Sequence, residues 1–222
     1  NIGNLSHLHM LDLGHNQLTE LPASLGKLSN LSDFLYLSDN LLSSVPETLG
    51  NLTALAYLNI SDNQLTGLPE SISQLSSLLE LRLYNNQLQA LPQSLGKLSK
   101  LKELHVQNNA LTALPETLGG LINLRKLVLR DNALISLPES LGDLVNVTEL
   151  DFRNNQLASL PESIGQLKKL AYLDLRANQL ESLPMGIKDL ANLEKLDLRW
   201  NRSLTLPSWL DDLEQQGCTV YT

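Results

Sequence analysis

Asparagine recurs at positions 16, 40, 63, 86, 109, 132, 155, 178 and 201, with one interval of 24 residues followed by seven of 23. Every one of the nine prolines, from Pro22 to Pro207, falls six residues after one of these asparagines. A chain whose prolines all obey one period is a stacked array rather than a domain built around one buried centre. Each unit is too small to bury its own apolar face and must cover that of its neighbour.

Aligned on the asparagine, each unit reads Leu-x-x-Leu-x-Leu-x-x-Asn-x-Leu-x-x-Leu-Pro-x-x-Leu-Gly-x-Leu-x-x. Leu78, Leu81, Leu83, Asn86, Leu88, Leu91, Pro92, Leu95, Gly96 and Leu98 form a clean fourth unit. The alternation from Leu81 to Leu83 has the period of a strand, and it recurs at 104–106, 127–129, 150–152, 173–175 and 196–198. Connections of about twenty residues require successive strands to be parallel, about 4.8 Å apart. Proline followed by Glu-Ser or Glu-Thr suits the first turn of a short helical or 3-10 segment. There a missing N–H costs nothing, and an acidic group meets the positive end of the dipole. The glycine after the next leucine is expected to close that turn in a left-handed conformation. The asparagine carboxamide, a donor and an acceptor at once, is expected to satisfy backbone groups on its own turn and on the neighbouring unit.

These residues resemble the leucine-rich repeat family over essentially the whole chain. The Leu-Pro-x-x-Leu/Ile-Gly-x-Leu variety is most similar to intracellular Ras-group-like repeats and to bacterial leucine-rich repeat proteins. The resemblance implies an α/β solenoid, curved, with a parallel sheet on its concave face and short helical or 3-10 turns on its convex face. One domain over 1–222 is expected: a truncated repeat at 1–7, the array at 8–200, and a last repeat with its cap at 201–222. For function the resemblance implies binding to a protein or peptide. An alternative is the substrate-recruiting arm of a kinase, GTPase or ubiquitin ligase whose catalytic domain lies elsewhere, or a bacterial effector that binds a host protein.

Composition narrows the partners. A net charge of −8 disfavours nucleic acid and anionic membranes, and no apolar run approaches the roughly 18 residues of a membrane span. Cys218 is alone, which excludes an intrachain disulfide and a thiolate metal cage, so a cytoplasmic location is expected. Six Asn-x-Ser/Thr patterns, at Asn4, Asn30, Asn51, Asn59, Asn146 and Asn201, read as by-products of the repeat. No catalytic residue, cofactor or metal emerges. His7 and His9 share a usable spacing without a cysteine or carboxylate cluster to complete it, and Asp12 near His15 lacks a nucleophile or pocket. Oligomeric state leaves no trace in the pattern.

Departures from the consensus are where binding residues would sit. Unit two carries one extra residue between Leu31 and Leu35, expected as a bulge before Leu35 that Phe34 covers. Unit nine loses its leucine at Ser203 and its glycine at Asp211, and is expected to end in a polar helix bearing Trp209 and a short edge strand. Leu5, Leu8 and Leu11 would face nothing at the other end, so a parent chain is expected to continue upstream. In a core dominated by leucine, Tyr36, Tyr57 and Tyr84 in units two to four are expected to run diagonally across the sheet as anchors, with Arg82 and His105 fixing register. Strand propensity alone also favours tyrosine there. Arg130, Arg153, Arg176 and Arg199 share one slot, with Asp151, Asp174 and Asp197 two residues before the last three. They form either a mutually satisfied surface ladder or forks offered to acidic side chains or a carboxylate terminus, with Trp200 beside them.

Overall fold

Each Leu-x-Leu step becomes a strand because alternate side chains point to opposite faces, so both leucines enter the core while the residues flanking them face out. The computed structural model describes residues 2–222. Its strands are β1 (Leu11–Asp12), β2 (Phe34–Tyr36), β3 (Tyr57–Asn59), β4 (Glu80–Arg82), β5 (Glu103–His105), β6 (Lys126–Val128), β7 (Glu149–Asp151), β8 (Tyr172–Asp174), β9 (Lys195–Asp197) and β10 (Thr219–Tyr221). They form one open sheet in sequence order, and every neighbouring pair is parallel. Behind it the chain returns through 3-10 turns such as Glu47–Asn51 and Gln93–Lys97, each preceded by its proline in an extended conformation. Leucines from the strands, the loops and these turns merge into one continuous cluster from Leu21 to Leu213. Full burial contributes about 1.5–3 kcal/mol per leucine, and the repeat multiplies that along the array.

The asparagine ladder is present as expected. Asn86 donates to the carbonyls of Ile60 (2.9 Å) and Leu83 (3.0 Å) and accepts from the N–H of Leu65 at 3.0 Å. The same three-way pattern recurs at Asn63, Asn109 and Asn178. Each carboxamide therefore fastens two units together.

The turn glycines do something other than expected. Among the described glycines only Gly217 has a positive φ, of 98°. A Cβ on Gly26 would lie 2.1 Å from the carbonyl oxygen of Thr48, and one on Gly96 would lie 2.0 Å from that of Thr117. Glycine is required because adjacent turns stack nearly backbone to backbone. The left-handed position lies instead just before each ladder asparagine. It is filled by Asp39, Asp62, Asn85, Asn108, Asp131 and Asn154, the side chains that tolerate it best, but also by His15, Ala177 and Trp200.

The extra residue of unit two is absorbed before Leu35, as expected. Ser32 and Asp33 both donate to the His9 carbonyl, and their own carbonyls then accept separately from Ala56 and Tyr57. In the next unit one carbonyl, that of Ala56, serves both Leu79 and Glu80. Leu35 thus stays in register with Leu11 and Leu58. Phe34 follows the bulge on the sheet face, stacked on Tyr36 with ring centroids 4.4 Å apart.

At the C-terminal end α1 (Leu210–Gln215) buries Leu210 and Leu213 beside Trp209, and β10 adds to β9. At the other end Leu5 is exposed, whereas Leu8 and Leu11 are half-buried against the core. Asn30 and Asn146 donate to the carbonyls of Ser6 and Ile122 in the preceding units, and Asn201 is buried in the ladder. Those three Asn-x-Ser/Thr patterns are structural.

Candidate interaction face

Strict register converts the outward positions into three rows crossing the sheet. Tyr57, Glu80, Glu103 and Lys126 align in the first row, and Asn59, Arg82, His105 and Val128 in the second. Two residues beyond the second row lies a third, carrying Tyr84, Gln107 and the four arginines. Tyr57 stands in the first row, Tyr36 in the second and Tyr84 in the third. The three tyrosines therefore do not form the expected diagonal. Tyr36 and Tyr57 instead gather with Asn59, Glu80 and Arg82 around one shallow depression, and Tyr84 stands apart from it. That depression holds only about 20 Å³, far below the roughly 300–1,000 Å³ of a small-molecule site. It is a surface for lying against, not a pocket.

Phe34 completes this patch, sharing its register position with Tyr57 and its face with Tyr36. The bulge conceals it from sequence reasoning, although its spacing of two from Tyr36 is a signal that could have found it. Arg82 donates through Nε to Glu80. Burial works against the guanidinium's charge, but the bond to Glu80 and the charge of that carboxylate together raise the Arg82 pKa. His105 lies beside it, with Nε2 3.0 Å from Glu103 Oε2 and 4.0 Å from Glu80 Oε1.

The arginine row divides in two. Arg176 holds Asp174 through Nε at 2.9 Å and reaches Asp197 at 3.3 Å, while Arg199 holds Asp197 at 2.9 and 2.6 Å. Asp197 is fully buried between them. Burial alone would raise its pKa, but the bond from Arg199 and the charge of Arg176 lower it. Arg130 and Arg153 are looser. Each places Nε 3.8 Å from the same Asp151 oxygen, and burial leaves the Asp151 carboxyl above its ordinary range. Around it Glu149, Tyr172, Asp174 and Lys195 line an open recess of about 300 Å³. Trp200 is 69% exposed at φ 67°, with the Arg199 guanidinium 5.9 Å from its ring.

Two family models match the chain. One is described as a leucine-rich repeat region, over residues 35–121 and 115–217, and the other as a leucine-rich repeat, over 7–28. Among solved structures, a leucine-rich repeat protein of Leptospira interrogans is 32% identical with a TM-score of 0.75, over all of this chain and 62% of its own. The ectodomain of the Arabidopsis thaliana receptor kinase GASSHO1/SCHENGEN3, in complex with Casparian strip integrity factor 2, is 35% identical with a TM-score of 0.80, over 90% of this chain and 25% of its own. The Arabidopsis receptor kinase HAESA, in complex with the peptide hormone IDA and the co-receptor SERK1, is 30% identical with a TM-score of 0.74, over 92% of this chain and 42% of its own. The chain thus spans between a quarter and about three fifths of these relatives. Among the described residues no helix is long and apolar enough to cross a membrane.

Proposed function

The chain belongs to the leucine-rich repeat family, and from that premise we propose that it is a non-catalytic recognition module that holds a protein or peptide segment against the sheet face of units two to five. One observation carries this reading: Phe34, Tyr36 and Tyr57 form an aromatic patch on the sheet face of a protein whose core is mostly leucine. Aromatic side chains supply large contact area at small entropic cost and dominate binding hot spots. Arg82, Tyr84 and His105 flank the patch and would fix the register of the bound segment. The two plant receptors of similar structure were each solved with a bound protein or peptide, which supports a ligand of the same class.

A second reading rests on the looseness of Arg130 and Arg153, which contact Asp151 only at 3.8 Å, with Arg130 also 3.4 Å from Asp131, and which could turn to acidic groups of a partner; Arg176 and Arg199 are held more tightly by carboxylates. Trp200 would add an exposed aromatic beside them. The same face could serve as the recruiting arm of an enzyme or as an effector, and the lone cysteine favours the cytoplasm.

Selection from a random peptide display library on the 222-residue chain, followed by affinity measurement, tests the first reading. Replacing Tyr57 and Tyr84 together by alanine should weaken the selected peptides by roughly 30-fold or more, the equivalent of about 2 kcal/mol. Circular dichroism and the melting temperature should stay unchanged. Unaltered affinity in that double variant would sink the proposal.

A further inference from the structure

We propose that Glu80, Glu103 and His105 form a binding site for a borderline divalent transition metal, with zinc the best match. Glu80 and Glu103 are register partners at the heads of β4 and β5. Two like charges therefore stand side by side at the strand spacing of about 4.8 Å; Arg82 relieves Glu80, whereas Glu103 has only the His105 imidazole. His105 lies on the same face two residues after Glu103. One ligand atom from each of the three side chains lies within 4.8 Å of the others.

The geometry and the donor types select the ion. Zinc binds nitrogen and carboxylate oxygen at about 2.0–2.2 Å, so ligand atoms at the corners of a tetrahedron lie roughly 3.3–3.6 Å apart. The distances from His105 Nε2, 3.0 Å to Glu103 and 4.0 Å to Glu80, bracket that value. Closing the site requires only the flexible ends of two glutamates to shift by about an ångström on that geometry. His105 and Glu80 are well shielded, with side chains 15% and 16% exposed. An imidazole with only two carboxylates is a poor cage for calcium or magnesium, which take six or more oxygens, and a good one for zinc or cobalt.

Arg82 does not block the site. It donates to Oε1 of Glu80, and a carboxylate oxygen keeps a second lone pair for a metal. Its guanidinium is thus placed as the outer partner that orients a ligating carboxylate. Three protein ligands leave a fourth position for water or for a donor from a bound partner. The site rests on the geometry of β4 and β5 alone, so metal binding is measurable without any peptide.

Cobalt(II) titration of the 222-residue chain, read by visible absorption, and zinc competition against a chromophoric chelator form the test. One equivalent of each metal should bind. His105→Ala and Glu103→Gln should each weaken zinc by at least about tenfold, since even outer partners of metal ligands are worth 10–100-fold. Replacing His7 and His9 together should change nothing. Absence of stoichiometric binding overturns the site, as does affinity that survives His105→Ala or disappears with His7 and His9. Circular dichroism of the two single variants separates loss of metal from loss of fold.

Discussion

Two aspartates in the same slot of the repeat, Asp151 and Asp197, are driven in opposite directions by their surroundings. Asp197 is buried between Arg199 and Arg176, whose bond and charge overcome the cost of burial and lower its pKa. Asp151 meets the two guanidiniums only at 3.8 Å, and burial prevails. The signs of the stability linkage therefore differ. Asp197, with a depressed pKa in the folded state, contributes stability present above its unfolded pKa and lost as pH falls through the folded one. Asp151, with a raised pKa, is favourable below its unfolded pKa and loses that contribution as pH rises through the folded one. Asp197→Asn should cost about 1–3 kcal/mol near pH 7 by depriving Arg199 of its carboxylate and Arg176 of one of its two, and the loss should shrink in acid. Asp151→Asn should be neutral or stabilising near pH 7, and that advantage should vanish in acid. Urea midpoints at about pH 7 and about pH 3.5, bracketing the ordinary carboxylate range, check both. Equal responses from the two variants would show that the loose and tight arginines are energetically alike.

At the level of the element, strands, turns and ladder are legible in the sequence because each follows from local chemistry. Alternation gives a strand, proline followed by glutamate opens a turn, and a carboxamide caps orphan backbone. What stays hidden depends on distances between units. Gly96 reads as a left-handed stop because its sequence position allows it, but only the stacked turns reveal the Thr117 carbonyl 2.0 Å from where a Cβ would be. The stacking of Phe34 on Tyr36 and its register with Tyr57 are hidden for the same reason. Both follow from the bulge closing upstream, at Ser32 and Asp33. Glu80, Glu103 and His105 give no joint signal along the chain, because their proximity arises only once β4 and β5 are in register. Two glycines make a sharp contrast. Gly96→Ala must push two turns apart and should destabilise by about 1–3 kcal/mol, the usual cost of overpacking. Gly67, in a loop, has nothing within 4 Å of where a Cβ would stand and no positive φ. Gly67→Ala should be neutral or stabilising by up to about 1 kcal/mol, through the unfolded chain. Thermal melts of the two variants decide it, and equal losses would return the turn glycines to a conformational role.

Across the whole molecule, cohesion is a chain of nearest-neighbour contacts, because each unit touches only the units beside it. The ladder asparagines are the polar half of that coupling. Asn109 sits near the middle, donating to Leu83 and Val106 carbonyls and accepting from the N–H of Leu88. Asn109→Ala strands the Leu88 N–H, at about 1–3 kcal/mol, and takes one of two carboxamide donors from each of the Leu83 and Val106 carbonyls, which keep Asn86 and Asn132. In a compact domain that penalty would lower a single transition. In a linear array it falls on the junction between units four and five, so the two halves should begin to unfold independently. Trp200 and Trp209 both lie in the C-terminal half, and their fluorescence reports that half alone. In the unsubstituted chain, urea transitions followed by tryptophan fluorescence and by far-ultraviolet circular dichroism should coincide. In Asn109→Ala they should separate, with amide exchange accelerated most in units four and five. Coincident transitions at a uniformly lower midpoint would show that the leucine core alone couples the units and that the ladder adds stability without adding cooperativity.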